Sequence, residues 1–212
     1  MNRTCVNLVA DPYPPYQFRE GDKIMGIDYG TISRIFHVMR LDLHVDLCPW
    51  DECLRRVDVG NADGVFQITK TRERESRFLF SDLLREEETA LFSKAPLPPA
   101  GSLCEILSDG RNLLGVLDGY SYNDEIDHLP AESKLVVPDQ ESLLDALCQG
   151  RCHAVFMDAG VADYLCAKRG VTGLHKADGL GIRRELYVAF NPDRLQIQHA
   201  FNQGLHHWRN SP

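Results

Sequence analysis

The feature that most constrains this chain is an alternation in which short apolar runs that read as strands are separated, repeatedly, by stretches with helical spacing. Thr4 to Ala10 is strand-like and gives way to the turn-rich Asp11-Pro12-Tyr13-Pro14-Pro15-Tyr16. Gly26 to Gly30 then precede Ile32, Ile35, Phe36 and Met39, which recur at helical spacing. Leu43, Val45 and Leu47 alternate with His44 and Asp46 as a strand does, and Pro49 stops that run. Cys53, Leu54 and Val57 mark a second short helix, and Ala62 to Ile68 reads as a third strand. The order strand, helix, strand, helix, strand predicts a parallel sheet with helices on its faces.

Between Phe92 and Leu103 the composition changes to Lys94-Ala95-Pro96-Leu97-Pro98-Pro99-Ala100-Gly101, a stiff connection of the kind found between domains. The pattern then restarts. Strands are expected at Leu113 to Leu117, Lys134 to Val137 and Ala154 to Met157, with helices around Asn123 to His128, Gln140 to Cys148 and Gly160 to Lys168. Glu185 to Phe190 is a further strand. Leu195, Ile197, Ala200, Phe201, Leu205 and Trp208 give a final amphipathic helix that must pack on one unit or the other.

Composition narrows the function classes. The chain has 212 residues, 43% hydrophobic and 25% charged, enough for a real core and incompatible with disorder or a coiled coil. Lys and Arg total 23 against 31 Asp and Glu, a formal charge of −8, so the attraction to phosphate that nucleic-acid binders use is missing and no nucleic-acid partner is expected. The longest apolar stretches fall well short of the roughly 20 residues that span a bilayer. The first residues reach a strand-like run at once and lack a secretory leader, which reads as a mature form or a cytosolic protein. Seven cysteines are an odd number, so a dense disulfide framework is not indicated. Cys148 and Cys152 flank a turn and have a bridge as one reading and free thiols as the other.

In open parallel sheets ligands bind outside the carboxyl ends of the strands, where loops converge. Asp11, Tyr13 and Tyr16 follow the first predicted strand, Pro49 and Trp50 the second, and Thr69, Thr71 and Arg74 the third. In the second unit Asp118, Gly119 and Ser121 follow its first strand, and Asp158 follows Ala154 to Met157. Guanidinium, carboxylates, hydroxyls and aromatic rings together suit a zwitterion, of which an α-amino acid is the simplest. Each residue also has a plainer reading. Arg72, Arg74 and Arg77 lie in one charged run of the sort that forms a solvated surface, Asp158 is placed to cap the helix after it, and Trp50 and Tyr13 suit a core. His-Glu-x-x-His, Gly-x-Ser-x-Gly, a P-loop and paired Cys-x-x-Cys spacing are absent, and no cofactor or metal is expected.

Four stretches carry a family resemblance. They are Tyr13-Pro14-Pro15-Tyr16-Gln17-Phe18 followed by Gly26-Ile27-Asp28; Gly60-Asn61-Ala62-Asp63-Gly64; Ile68 to Arg74 leading to Phe80-Ser81-Asp82; and Gly115-Val116-Leu117-Asp118-Gly119 with Ala154 to Asp158. In these the chain resembles the family 3 periplasmic solute-binding proteins, the amino-acid receptors of ABC importers, over nearly its whole length. The resemblance implies a two-lobe α/β fold of the type II, Venus-flytrap kind with two hinge crossings, at Glu87 to Ser93 and about Arg183 to Phe190. Lobe 1 would be residues 1–91 completed by 184–212, and lobe 2 residues 92–183.

The resemblance further implies that Arg74, six residues before the Phe-Ser pair, holds the ligand α-carboxylate and that Asp158 binds the α-ammonium. Thr69 and Ser121 would assist, while Tyr13 and Trp50 sandwich the ligand side chain. Asp11, Gln67 and Asp118, with Gly119 beside them, favour a polar or cationic amino acid. The implied protein is a non-enzymatic, monomeric, periplasmic receptor, its signal peptide removed, that delivers its ligand to a membrane permease. The alternatives are the ligand-sensing domain of a membrane signalling protein and an enzyme resembling the cyclohexadienyl dehydratases. Departures from the family pattern are the short C-terminus, cysteines away from the common first-lobe disulfide, and Phe66 and Gln67 at positions that are often small and hydroxylated.

Overall fold

The computed structural model describes residues 5–97, 103, 113–120 and 122–210. In chain order the first elements are β1 (Cys5–Ala10), β2 (Phe18–Glu20), β3 (Lys23–Met25), α1 (Ile27–Val38), β4 (Asp42–Leu47), α2 (Trp50–Asp58), β5 (Gly64–Ile68), α3 (Arg72–Glu75), β6 (Leu79–Phe80) and β7 (Arg85–Ser93). There follow β8 (Leu114–Leu117), α4 (Asp124–Asp127), β9 (Lys134–Val137), α5 (Gln140–Cys148), β10 (Ala154–Asp158), α6 (Ala159–Arg169), β11 (His175–Lys176), β12 (Ile182–Phe190) and α7 (Leu195–Asn210). The chain divides into two compact units, Met1–Glu86 with Arg184–Pro212, and Glu87–Arg183. It leaves the first unit within β7 and re-enters it within β12.

In the first unit β1 lies between β4 and β5 and is parallel to both, with Val6 opposite Leu43 and Leu8 opposite Gly64. β12 joins β5 antiparallel, and β6 joins β12. Both faces of β1 are covered in its second half, where Leu8, Val9 and Ala10 form an apolar run. Val6, Leu8 and Ala10 pack with Ile32, Ile35 and Phe36 of α1 and with Phe201 and Leu205 of α7. Val9 points the other way, into a cluster with Cys53 and Val57 of α2. Each fully buried side chain of this size contributes roughly 1.5 to 3 kcal/mol.

Two glycines fix how these layers meet. A Cβ on Gly204 would lie 2.7 Å from Met39 Cγ and 2.9 Å from Ile35 Cγ2, so α7 crosses α1 at a separation only glycine allows. Gly26 has φ +129° and a Cβ there would come within 2.1 Å of the Tyr16 carbonyl oxygen. That close approach pins the start of α1 to the Tyr13–Gln17 turn, where the Asp28 amide donates to the same carbonyl at 2.9 Å. Asp28, only 2% exposed, accepts from Arg85 Nε at 2.8 and 3.0 Å, and the Arg85 guanidinium lies 3.8 Å from the centre of the Tyr16 ring.

The second unit orders its strands β7-β10-β8-β9, with β8 parallel to β9 and β10 and with β10 and β11 antiparallel to β7. Its core holds Leu91, Leu114, Val116, Tyr122, Ile126, Ala154 and Phe156. Side chains cap the helices: Asn123 accepts from the Ile126 amide, Asp139 from Ser142 and Asp158 from Val161, at 2.9, 2.7 and 2.8 Å.

The α/β class read from the sequence is the class observed. Local boundaries differ where capping decides them. The expected helix around Asn123 to His128 is the single turn α4, started by the Asn123 cap. Ala62 and Asp63 precede β5 rather than joining it; the Asp63 carboxylate accepts from the Asn7 amide at 2.7 Å and from Arg194 Nε at 2.5 Å. Cys148 and Cys152 are free thiols, as are the other four described cysteines. Cys104, Pro98 to Gly101 and the site candidate Ser121 lie outside the described residues.

Candidate functional site

Because β4, β1 and β5 are adjacent and parallel, their carboxyl ends share one edge of the first unit's sheet. Asp11 follows β1, Trp50 opens α2 immediately after Pro49, and Thr69 follows β5. The chain then turns through Thr71, whose side-chain oxygen accepts from the Arg74 amide at 3.2 Å and so starts α3. This cap carries Arg74 back over the strand end. Arg74 Nη1 donates to the Thr69 hydroxyl at 2.7 Å and to the Thr69 carbonyl at 3.1 Å, and its guanidinium carbon lies 5.5 Å from the centre of the Trp50 ring.

Arg74 forms no ion pair among the described residues, and its Nε and Nη2 make no hydrogen bond there. Burial draws its pKa below the usual arginine value; Glu73 opposes the shift and Arg77 adds to it. The other two arginines of the run sit differently. Arg77 donates to the Asp58 carboxylate and, at 3.1 Å, to Glu73, while Arg72 is exposed. A partly desolvated guanidinium with one planar edge unengaged is suited to take a carboxylate bidentately.

Around this edge the structure places further polar groups. Gln17, fully buried, donates through Nε2 to the Asp11 carbonyl at 3.0 Å and also to Gln67 Oε1. Gln67 has φ +61°, an uncommon conformation for a non-glycine residue, and sits where β5 and β12 shift register between Tyr187 and Val188. Gln17 Oε1 and Gln67 Nε2 are buried without a hydrogen-bond partner among the described residues. Burial pushes the Asp11 carboxyl up to about 6, against a hydrogen bond from its own backbone. Lys70 Nζ stands 4.0 Å from the centre of the Tyr187 ring. Tyr13 stacks on Tyr16, with ring centroids 5.9 Å apart.

The first unit therefore brings Asp11, Gln67, Thr69, Arg74 and Trp50 to one sheet edge. Gln17 and Lys70 were not singled out from the sequence. Gln17 lies within the Tyr13 to Phe18 stretch, but its amide pairing spans 50 positions and leaves no local signal.

In the second unit Asp158 ends β10, is buried, and uses Oδ1 to accept from the Val161 amide, so the helix-capping reading describes one of its contacts. Asp118 and Gly119 are exposed beyond the end of β8. They line a cavity of about 320 Å³ with Tyr120, Tyr122, Lys134 and Val136. The Leu117 amide at its rim donates to the Tyr122 hydroxyl at 3.0 Å. Among the described residues no cluster of three or more His, Cys, Asp or Glu side chains could hold a metal ion, and no helix is long and apolar enough to cross a membrane.

Solved structures of similar fold cover almost the whole chain. The arginine-, lysine-, histidine-binding protein ArtJ from Geobacillus stearothermophilus matches 98% of this chain and 90% of its own, with a TM-score of 0.74 and 18% identity. The arginine-binding protein of T. maritima matches 98% and 92%, with a TM-score of 0.73 and 18% identity. A histidine kinase sensor domain with similarity to periplasmic binding proteins matches 98% and 91%, with a TM-score of 0.74 and 20% identity. At these identities the likeness speaks to fold: the chain has the α/β fold of the periplasmic binding proteins. No curated protein sequence matches it. A family model matches residues 6–212, and the chain belongs to the bacterial extracellular solute-binding proteins, family 3.

Proposed function

We propose that this protein captures a polar amino acid outside the cytoplasm and delivers it to the membrane permease of an ABC importer. Arg74 takes the α-carboxylate through its unengaged edge, with the Thr69 hydroxyl beside it. Asp158 and Ser121 serve the α-ammonium, and Trp50 and Tyr13 hold the ligand side chain. Asp11, Gln67, Asp118 and Gly119 set the preference for a polar or cationic side chain. The observation that carries this reading is the anchoring of Arg74: Thr69 and Trp50 hold the guanidinium while no protein carboxylate among the described residues neutralises it. Nothing in the reading needs turnover, and the matched family is one of binding proteins.

A thermal-shift screen against the twenty amino acids tests it. A ligand at about a hundred times its Kd stabilises the folded state by about 2.7 kcal/mol. For a chain of this size that raises the melting temperature by roughly 5 to 10 °C. At least one polar amino acid is expected to do so, and no response from any of the twenty refutes the proposal. A second reading, a ligand-sensing domain of a membrane signalling protein, is supported by the similarity to a histidine kinase sensor domain. Liganded protein that leaves ATP hydrolysis by the reconstituted permease unchanged, while binding is intact, favours that reading.

A further inference from the structure

The corner between β4 and α2 holds two thiols with no part in the proposed amino-acid site. Cys48 follows β4 and is half-buried; Cys53, in the first turns of α2, is fully buried. Their sulfurs are 3.2 Å apart, and Cys53 Sγ also donates to the Cys48 carbonyl at 3.3 Å. The backbone between them is held on both sides, by the Cys48 amide donating to the Ala10 carbonyl at 3.0 Å and the Cys53 amide donating to the Pro49 carbonyl at 3.0 Å. A disulfide bond is about 2.05 Å long, so joining these sulfurs takes a movement of about 1 Å, within reach of side-chain rotation.

The two sulfurs differ in a way that orders the chemistry. Arg56 Nη1 lies 4.0 Å from Cys48 Sγ, which puts a positive charge against the sulfur that solvent can reach. That guanidinium is fixed by its other nitrogen, which donates to Asp46 at 2.8 Å. Cys53 is enclosed by the second core cluster, and burial, followed by its contact with Cys48, raises its thiol pKa.

We propose that Cys48 and Cys53 form a reversible dithiol–disulfide couple, an oxidation site in which Cys48 attacks and Cys53 resolves. With a low-molecular-weight disulfide as oxidant, Cys48 Sγ attacks one of its sulfurs, forms a mixed disulfide and expels the first thiolate. Cys53 Sγ then attacks Cys48 Sγ and expels the second. The two protons lost by the cysteines end on the two released thiols, and the two electrons reduce the external disulfide. The closed ring spans residues 48–53 and contains Trp50, so oxidation fixes the turn that presents that ring to Arg74.

The test treats the intact chain with oxidised glutathione, quenches with acid and alkylates under denaturing conditions. The number of alkylated thiols is expected to fall from the seven cysteines of the chain to five. Peptide mapping is expected to join Cys48 to Cys53, and dithiothreitol to restore all seven. Cys53→Ala is expected to trap glutathione on residue 48 as a stable adduct, whereas Cys48→Ser leaves residue 53 unmodified. Mapping of the wild-type chain decides the matter even if a variant fails to fold. Retention of seven alkylated thiols, a linkage between other cysteines, or an adduct on Cys53 but not on Cys48 overturns the proposal.

Discussion

Replacing Arg74 by alanine removes the group that the proposed site depends on most. The structure gives the scale. Nη1 is committed to Thr69, which leaves Nε and Nη2 as two donors for a carboxylate, and each charge-assisted hydrogen bond contributes about 1.5 to 3 kcal/mol. The guanidinium is only partly desolvated, so the lower figure applies, and two bonds together give about 3 kcal/mol, or roughly a hundredfold in Kd. Arg74→Lys keeps the charge but loses the planar pair, and is expected to retain part of the affinity. Arg77→Ala is the control, because that guanidinium is engaged by Asp58 and Glu73 at the surface, and its loss is expected to change Kd by less than about threefold. Isothermal titration with the amino acid found by the thermal screen reads all three, with circular dichroism to establish that each variant is folded. An unchanged Kd for Arg74→Ala, or equal losses for Arg74→Ala and Arg77→Ala, refutes the assignment.

Two stability predictions follow from other buried charges. Asp11 titrates at about 6 when folded against 3.8 ordinarily, so between roughly pH 4 and 6 the folded state holds a proton that the unfolded chain has released. Stability therefore falls as pH rises through that window, by up to about 3 kcal/mol. In urea titrations the advantage of Asp11→Asn over the wild type should grow from pH 4 to pH 6.5; a difference that stays flat with pH contradicts this. Arg85→Met leaves the Asp28 carboxylate buried without its guanidinium and is expected to cost about 3 to 5 kcal/mol, most of it recovered in the Asp28→Asn, Arg85→Met double variant. Equal melting temperatures for Arg85→Met and the wild type would show the pair to be inert.

Most of the fold was legible because its strands and helices carry strong local signals. The stretch Gln140 to Cys148 reads as a helix from its apolar spacing, and its Asp139 cap confirms the start. β1 reads as a strand because Val6, Leu8, Val9 and Ala10 are all buried and give it a short apolar run. The hairpin of β2 and β3 was not singled out, since Arg19, Glu20, Asp22 and Lys23 leave it with little apolar pattern. The site was legible in its parts and not in its wiring. Three arginines crowd residues 72–77, and what separates them is the Thr71 cap, which brings only Arg74 against Thr69 and Trp50. The positive φ of Gln67 falls where β5 shifts register against β12, a neighbour from more than a hundred residues away, and its partner Gln17 is 50 positions distant.

The division of the chain makes the two cores unequal in what they need to close. The second unit is one uninterrupted stretch, so the residues of its core all come from between Glu87 and Arg183. The first unit must wait for β12 to complete its sheet and for Phe201 and Leu205 to cover Ile35 and Phe36. Without those segments the early strands lose the apolar cover that β12 and α7 give them, and a chain cut before residue 184 is expected to be prone to aggregation.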